Sequence, residues 1–228
     1  MPIKIYKMDA SPPARAVMML CDILKAPVEL VDLDLMSKKQ FTPEFLKMNP
    51  LHTIPVLEDG DFILHDSHAI MEYLADVYAK DDTLYPKDVR KRALVNQKML
   101  FNACTLFPRT RSITTCSYYL MIEMLFQVAI KQNPNISELQ YSDLTECYDF
   151  LETFLNANKY LAADHITVAD IAAIATVTTM VLIVPLDEKY PKTKAWIEEF
   201  ESKSYCEKFN KPGATFLGEY IRNAIQNK

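Results

Sequence analysis

Residues Asn49 to Leu74 read N-P-L-H-T-I-P-V-L-E-D-G-D-F-I-L-H-D-S-H-A-I-M-E-Y-L, and this stretch decides how the chain folds. The Ile54-Pro55 step lies between polar Thr53 and apolar Val56-Leu57, which sets a proline at the first residue of a short strand. There it is tolerated as a structured turn that can take the cis form. A hairpin over 54–64 follows, turning on Asp59-Gly60, and Asp66-Ser67 then opens an apolar-periodic helix over Ser67–Tyr78.

Working outward, Ile3–Lys7 alternates as a strand, and Ser11-Pro12-Pro13-Ala14-Arg15-Ala16 follows it. Pro13–Leu24 carries Val17, Leu20, Cys21 and Leu24 at helical spacing, with proline where a helix start accepts it. Val28–Leu35 reads as a strand again and Thr42–Lys47 as a short helix. The resulting order, β-α-β-α-β-β-α, is a thioredoxin-like arrangement of a small mixed sheet flanked by helices. Lys80-Asp81-Asp82-Thr83-Leu84-Tyr85-Pro86-Lys87 is polar and proline-punctuated, so it reads as a linker over 80–87.

Beyond the linker the signals are helical. One long helix is expected from about Asp88, a break at Asn133-Pro134-Asn135, and another helix over Ser137–Ala157. Thr167-Val168-Ala169-Asp170 is a capping box opening Ile171–Val184, and Pro191 starts a helix containing Trp196. The expected fold class is α/β plus all-α: a thioredoxin-like domain over 1–79 and an all-helical domain over 88–228. Pro108 falls inside the first long helix, where a proline costs roughly 3 kcal/mol and bends the axis.

Composition removes several function classes. Half of the 228 residues are hydrophobic and 24% are charged, enough apolar surface for a packed core. A net charge of −5 and a pI near 5.4 leave no electrostatic footprint for nucleic acid. The chain has three glycines, too few for a phosphate-cradling loop. Its five cysteines, Cys21, Cys104, Cys116, Cys147 and Cys206, share no disulfide or metal spacing and suit a reducing compartment. No apolar run reaches the roughly 18 residues needed to span a bilayer, and the start reads as a strand rather than a signal segment. A cytoplasmic protein without membrane, nucleic-acid or metal partners is expected.

Ser11 is the sharpest chemical candidate. A hydroxyl at a strand-to-helix turn can donate to a bound anion, or it can simply cap the helix. The Pro55 turn exposes backbone, and the helix start at Asp66-Ser67 offers unpaired N–H groups to a carboxylate. Together the three look like a clamp for a small extended peptide. His52 and Gln40 are weaker candidates for its far end, while His65 and His68 read as structural. Arg109 and Arg111 stand two residues apart on one helix and so point to different faces, which lets at most one reach a ligand.

These motifs carry a resemblance. S-P-P-A-R-A at Ser11–Ala16, N-P-x-H-T-I-P-V-L at Asn49–Leu57, D-S-H-A-I at Asp66–Ile70, D-x-L-Y-P-K at Asp82–Lys87, L-F-P-R-T-R at Leu106–Arg111 and I-T-V-A-D-I at Ile166–Ile171 together resemble a cytosolic glutathione transferase. The match spans the whole chain and looks most like the insect epsilon class, a relative of the delta class. The resemblance implies a homodimer that conjugates glutathione to hydrophobic electrophiles in detoxification, with dehydrohalogenation or peroxide reduction as side activities. It implies Ser11 as the catalytic serine and Ile54 as the residue whose backbone pairs with the glutathione cysteine. Asp66 and Ser67 would bind the γ-glutamyl group, and His52 and Gln40 the glycine end. Thr53, Pro55 and Arg111 complete the implied glutathione site; Pro13, Leu35, Phe107, Thr110 and Thr114 line the implied electrophile pocket.

The chemistry asked of Ser11 is modest. A thiol of pKa about 8.5 must drop by roughly two units, or about 2.7 kcal/mol, to be mostly thiolate at neutral pH. One hydroxyl bond to a charged sulfur supplies about 1.5–3 kcal/mol and a helix N-terminus a fraction more, so no separate general base is required.

Three positions depart from the class pattern. Gln40 stands where a glycine-binding histidine is usual, Pro108 replaces a small helix former, and Ala163 replaces a glycine. Glutamine at 40 also resembles an ecdysteroid-linked branch, whose acidic steroid-contacting residue is matched here by Thr110. Two alternatives stay open: a non-catalytic carrier of glutathione or hydrophobic ligands, and an ecdysteroid-linked glutathione transferase.

Overall fold

The computed structural model describes residues 2–112 and 137–226; the expected break at Asn133-Pro134-Asn135 and the pocket residue Thr114 lie outside them. Strand β1, Ile3–Lys7, alternates buried and half-buried positions, so Ile3 and Ile5 enter the core while the backbone pairs on both edges. It lies between β2, Val28–Asp32, which runs parallel to it, and β3, Val56–Asp59, which runs antiparallel. β4, Phe62–His65, completes a four-stranded sheet in the order β2-β1-β3-β4. The β3–β4 turn places Gly60 at φ 64, the positive φ that a two-residue hairpin loop needs.

The helices of this half are α1, Pro12–Leu24, α2, Pro43–Met48, and α3, Ser67–Tyr78. A short 3₁₀ turn over Lys39–Phe41 precedes α2. β2 ends at Asp32, short of the expected Leu35. The apolar run continues because Leu33 and Leu35 leave the sheet to pack with Phe45, Ile54 and Val56 in a small second core, so their pattern reports burial and not pairing.

The helical half holds α4, Val89–Phe101, α5, Glu138–Ala157, α6, Val168–Ile183, α7, Pro191–Glu201, and α8, Lys211–Gln226. Ser137 and Gln140 close a capping box at the start of α5. The buried Asp170 carboxylate accepts from the Thr167 N–H and hydroxyl, both at 2.9 Å, from the Leu161 N–H at 2.9 Å and from Trp196 Nε1 at 3.3 Å. It joins three segments at the start of α6.

Pro108 does not interrupt the first long helix with a simple kink. A π turn over Asn102–Leu106 joins α4 to a helical continuation over 107–112, with the Phe107 N–H donating to the Asn102 carbonyl. The same device recurs over Cys206–Asn210, where the Lys211 N–H donates to the Cys206 carbonyl, two residues before Pro212. Proline has no N–H for the carbonyl four residues back, and its ring clashes with that carbonyl. Widening the turn just upstream moves the carbonyl aside and pairs the preceding N–H five residues back.

The halves share one main hydrophobic core, with α1 packed against α6 and α3. The segment between α3 and α4 is tied down by the Val168 N–H to the Leu84 carbonyl at 3.0 Å and by His165 Nε2 at 3.1 Å from the Thr83 carbonyl. Among the described residues no helix is long and apolar enough to cross a membrane.

Candidate active site

A cleft of about 360 Å³ opens between the two halves, reached by Ser11, Pro55, Asp66 and Ser67 from one side and by Phe107, Thr110 and Arg111 from the other. That volume falls in the range of small-molecule sites.

Ser11 stands at the N-cap of α1 with φ −74 and ψ 116, but its side chain makes no capping bond. Residues Pro12 and Pro13 remove two N–H groups from that terminus, and the Arg15 N–H donates to the Ser11 carbonyl at 2.9 Å. Ser11 thus lines the cleft while its side chain leaves its own helix uncapped.

The Ile54–Pro55 bond is cis. The loop before it is set by Asn49, a fully buried residue whose Nδ2 donates to the Thr53 carbonyl at 2.9 Å and to Thr53 Oγ1 at 3.0 Å. Asn49 Oδ1 accepts from the Leu51 N–H at 2.9 Å, so one amide positions Leu51 and Thr53, both of which line the cleft.

At the start of α3, Asp66 has φ 78 and ψ 119, a conformation that costs a non-glycine residue about 1–3 kcal/mol and concentrates at functional sites. Its Oδ1 accepts from the His68 N–H at 2.9 Å and the Ala69 N–H at 3.3 Å. The His68 ring beside it, with those two N–H groups, holds the carboxyl below the usual range. The Ile70 N–H is taken by the Asp66 carbonyl at 3.0 Å. Those bonds use neither Asp66 Oδ2 nor the Ser67 N–H, and both residues line the cleft at the positive end of a helix.

On the far wall, Ala103, Phe107, Thr110 and Arg111 line the cleft together. Thr110 is bound to its own helix through the Leu106 carbonyl at 2.9 Å. Arg109 turns away to Glu146 Oε2 at 2.6 Å and the Asp143 carbonyl at 3.1 Å. Pro13 also lines the cleft.

Three expected site residues stand elsewhere. Leu35 is buried in the second core, not in the pocket, because its side chain fills the space under Ile54. Gln40 is fully buried with both amide atoms unpaired among the described residues, outside the cleft lining. His52, at φ 48, stacks its ring on Phe41 at 4.8 Å and likewise does not line the cavity.

The structure adds residues that sequence reasoning passed over. His68, read as structural, lines the cleft, and Asn102 Nδ2 reaches its Nε2 at 3.0 Å. Thr179 and Leu217 enter the wall from α6 and α8. A signal existed for Asn49 and His68, which sit inside the motifs already quoted; Thr179 and Leu217 carried none. Among the described residues no three His, Cys, Asp or Glu side chains gather as a metal site.

Comparison with known proteins shows the family of the chain. The family profile for the glutathione S-transferase N-terminal domain matches residues 5–82, and that for the C-terminal domain matches residues 119–203. Glutathione S-transferase 1 of Manduca sexta is 42% identical over 99% of this chain and 100% of its own. An epsilon-class glutathione S-transferase from the housefly, Musca domestica, superposes with a TM-score of 0.89 at 38% identity, covering 97% of this chain and 98% of that one. A glutathione transferase homolog from Drosophila mojavensis, solved with bound glutathione, gives 0.88 at 39% identity, covering 98% and 97%.

A thioredoxin-like half and a helical half that meet at a cleft of small-molecule size are the architecture of a glutathione-dependent transferase. The chain belongs to the glutathione S-transferase family, on its insect epsilon and delta side, where glutathione is the co-substrate.

Proposed function

We propose that this enzyme conjugates glutathione to hydrophobic electrophiles and that Ser11 donates its hydroxyl hydrogen to the glutathione thiolate. The observation that carries the reading is that Ser11 occupies an N-cap without capping and opens into the same cleft as Pro55, Asp66 and Ser67. An ordinary capping serine would spend its oxygen on an N–H of its own helix.

In this reading Ser67, through its N–H and hydroxyl, holds the α-carboxylate of the γ-glutamyl group, and Asp66 Oδ2 accepts from the α-ammonium. The Ile54 backbone beside Pro55 and Thr53 pairs with the cysteinyl residue. Arg111 reaches the peptide from the helical wall. Gln40 and His52 serve the glycine end; the buried, unpaired amide of Gln40 is the kind of group that a ligand contact would satisfy. Pro13, Phe107, Pro108 and Thr110 offer an apolar surface to the electrophile. The domain division at 80–87 follows the segment between α3 and α4. Detoxification in the cytoplasm is the role that fits a broad apolar pocket.

The protein acts as a homodimer in this reading. Phe62 on β4, Val77 on α3 and Leu94 and Leu100 on α4 are exposed, and these elements adjoin through Phe62–Tyr73 ring contact and the Arg92–Asp76 ion pair.

The test is the ultraviolet thiolate absorption of glutathione bound to wild type and to Ser11→Ala, titrated with pH. A depressed thiol midpoint that rises by roughly one to two units in the variant supports the assignment. Binding with an unshifted midpoint would make the protein a carrier, and equal midpoints in both proteins would remove Ser11 from the chemistry.

A further inference from the structure

We infer that Arg15 is a buried cation that favours the glutathione thiolate at Ser11 from behind the cleft wall, without touching the ligand. This rests on the glutathione reading above and adds a charge that it lacked.

The start of α1 is a poor source of positive potential. Pro12 and Pro13 carry no N–H, and the Ser11 N–H is already bonded to the Met8 carbonyl at 3.0 Å. The Ala14 N–H alone remains of the four donors that a helix N-terminus normally presents. The dipole argument for a thiolate at Ser11 is correspondingly weak.

Arg15 lies one turn further along, on the same face as Ser11 and about 6 Å up the axis. It is 0% exposed and heads the largest fully buried side chains. Its acceptors are all neutral: Nη1 donates to the Asn210 carbonyl at 3.0 Å, Nη2 to the Ala175 carbonyl at 2.7 Å and to Thr179 Oγ1. No carboxylate among the described residues pairs with it. Thr179, which takes the Nη2 bond, itself lines the cleft, so one small side chain separates the guanidinium from the cavity. Gly213 lets α8 close over this site, since a Cβ there would meet the Asp9 carbonyl and stand 2.8 Å from Arg15 Cδ.

A purely structural bolt between α1 and α6 explains the hydrogen bonds but not the charge. Burying an unpaired cation is costly, and a neutral amide or an apolar side chain could join the same helices. Neighbouring groups leave the field intact. Burial pushes the Cys206 thiol up to about 12, so it is neutral, and the Asp9 carboxylate is occupied by Lys7 Nζ at 2.6 Å. Asp66 stands at the α3 N-terminus, partly compensated by two N–H bonds, and Arg111 adds a second cation to the cleft wall. Burial pushes Arg15 itself down to about 9, which keeps it protonated at neutral pH. A unit charge about 9 Å from a sulfur, at an effective dielectric of about 20, displaces a thiol midpoint by roughly one pH unit.

The experiment titrates the thiolate absorption of glutathione at saturating concentration with wild type, Arg15→Gln, Arg15→Lys and Cys206→Asp. Because it reads only bound, folded protein, a loss of stability alone does not move it. Cys206→Asp sets a carboxylate beside the guanidinium while leaving the three Arg15 hydrogen bonds in place, and so serves if Arg15→Gln does not fold. The expected result is a midpoint raised by about one unit in Arg15→Gln and in Cys206→Asp, and held near the wild-type value in Arg15→Lys. A wild-type midpoint that is depressed and unchanged in Arg15→Gln or Cys206→Asp would overturn the role of Arg15 and leave the glutathione reading standing. A wild-type protein that does not depress the midpoint at all would overturn both.

Discussion

Asn102 and His68 meet side chain to side chain at 3.0 Å, one from the helical half and the other from the first turn of α3. Thr176 on α6 donates to Asn102 Oδ1 at 3.1 Å, so the Asn102 NH₂ faces His68 Nε2, and that arrangement assigns the proton of the neutral ring to Nδ1. Nδ1 in turn stands 3.4 Å from Asp66 Oδ1. Asn102 is the first residue of the π turn that accommodates Pro108, so the geometry of the helical wall is linked by hydrogen bonds to the Asp66 end of the cleft.

Asn102→Leu should therefore weaken glutathione binding although Asn102 does not line the cavity. The expected outcome is a several-fold rise in the KM for glutathione with a smaller change in kcat. A loss of about 1–3 kcal/mol in unfolding free energy should accompany it, because His68 and Thr176 lose a buried partner. Steady-state kinetics and denaturant titration check the two; an unchanged KM would show that the link carries no binding information.

Ser11→Ala separates capping from chemistry. An N-cap serine normally contributes about 1 kcal/mol, but this hydroxyl makes no capping bond. The variant should unfold within about 0.5 kcal/mol of wild type while turnover falls tenfold or more. A stability loss of the usual capping size would mean that the side chain caps α1 in solution.

What the sequence disclosed was what neighbouring residues decide. The α3 helix runs Ser67–Tyr78 as its cap and period indicate, and β1 covers Ile3–Lys7, because alternation, caps and turns act over a few residues. Leu35 misled because an apolar alternation does not tell whether a residue pairs in a sheet or fills a core. His68 and Arg15 were opaque for a different reason: their partners lie 34 to 195 positions away. Pro108 was legible as a disturbance but not as a π turn, since widening one turn and kinking the axis relieve the same clash.

Pro108→Ala tests that last point. Restoring an N–H allows a regular bond to the carbonyl of Cys104 and removes the reason for the wide turn. Ala103 and Phe107, on the cleft face, should shift relative to Ser11. The KM for hydrophobic electrophiles should change several-fold, whereas the KM for glutathione should change less. Parallel changes in both would place the effect outside the pocket wall.

The depressed Asp66 carboxyl fixes a sign. A group whose folded-state pKa lies below its unfolded value stabilises the fold fully above the unfolded value, about 3.9 for Asp, and loses that contribution as pH falls through the folded one. Asp66→Asn should be less stable than wild type at neutral pH, and the gap should close as pH falls below about 4. Thermal unfolding of both proteins across that interval checks it; a gap that widens on acidification would mean that His68 and the two N–H groups do not stabilise the charge.

Asp170 shows how much one carboxylate can hold. Its two oxygens accept from Leu161, from the N–H and hydroxyl of Thr167, and from Trp196, and Asp170 is 0% exposed. Asp170→Ala leaves those donors buried without an acceptor, each lost partner weighing about 1–3 kcal/mol before relaxation. It also removes the reciprocal half of a capping box. The expected loss is about 3 kcal/mol or more in unfolding free energy. Because none of these groups lines the cleft, kcat per folded molecule should stay at the wild-type value. Denaturant titration with active-site counting by glutathione binding distinguishes the two: a fall in kcat per bound site would tie the start of α6 to the chemistry, and an unfolding change under about 1 kcal/mol would mean that water satisfies the donors once Asp170 is gone.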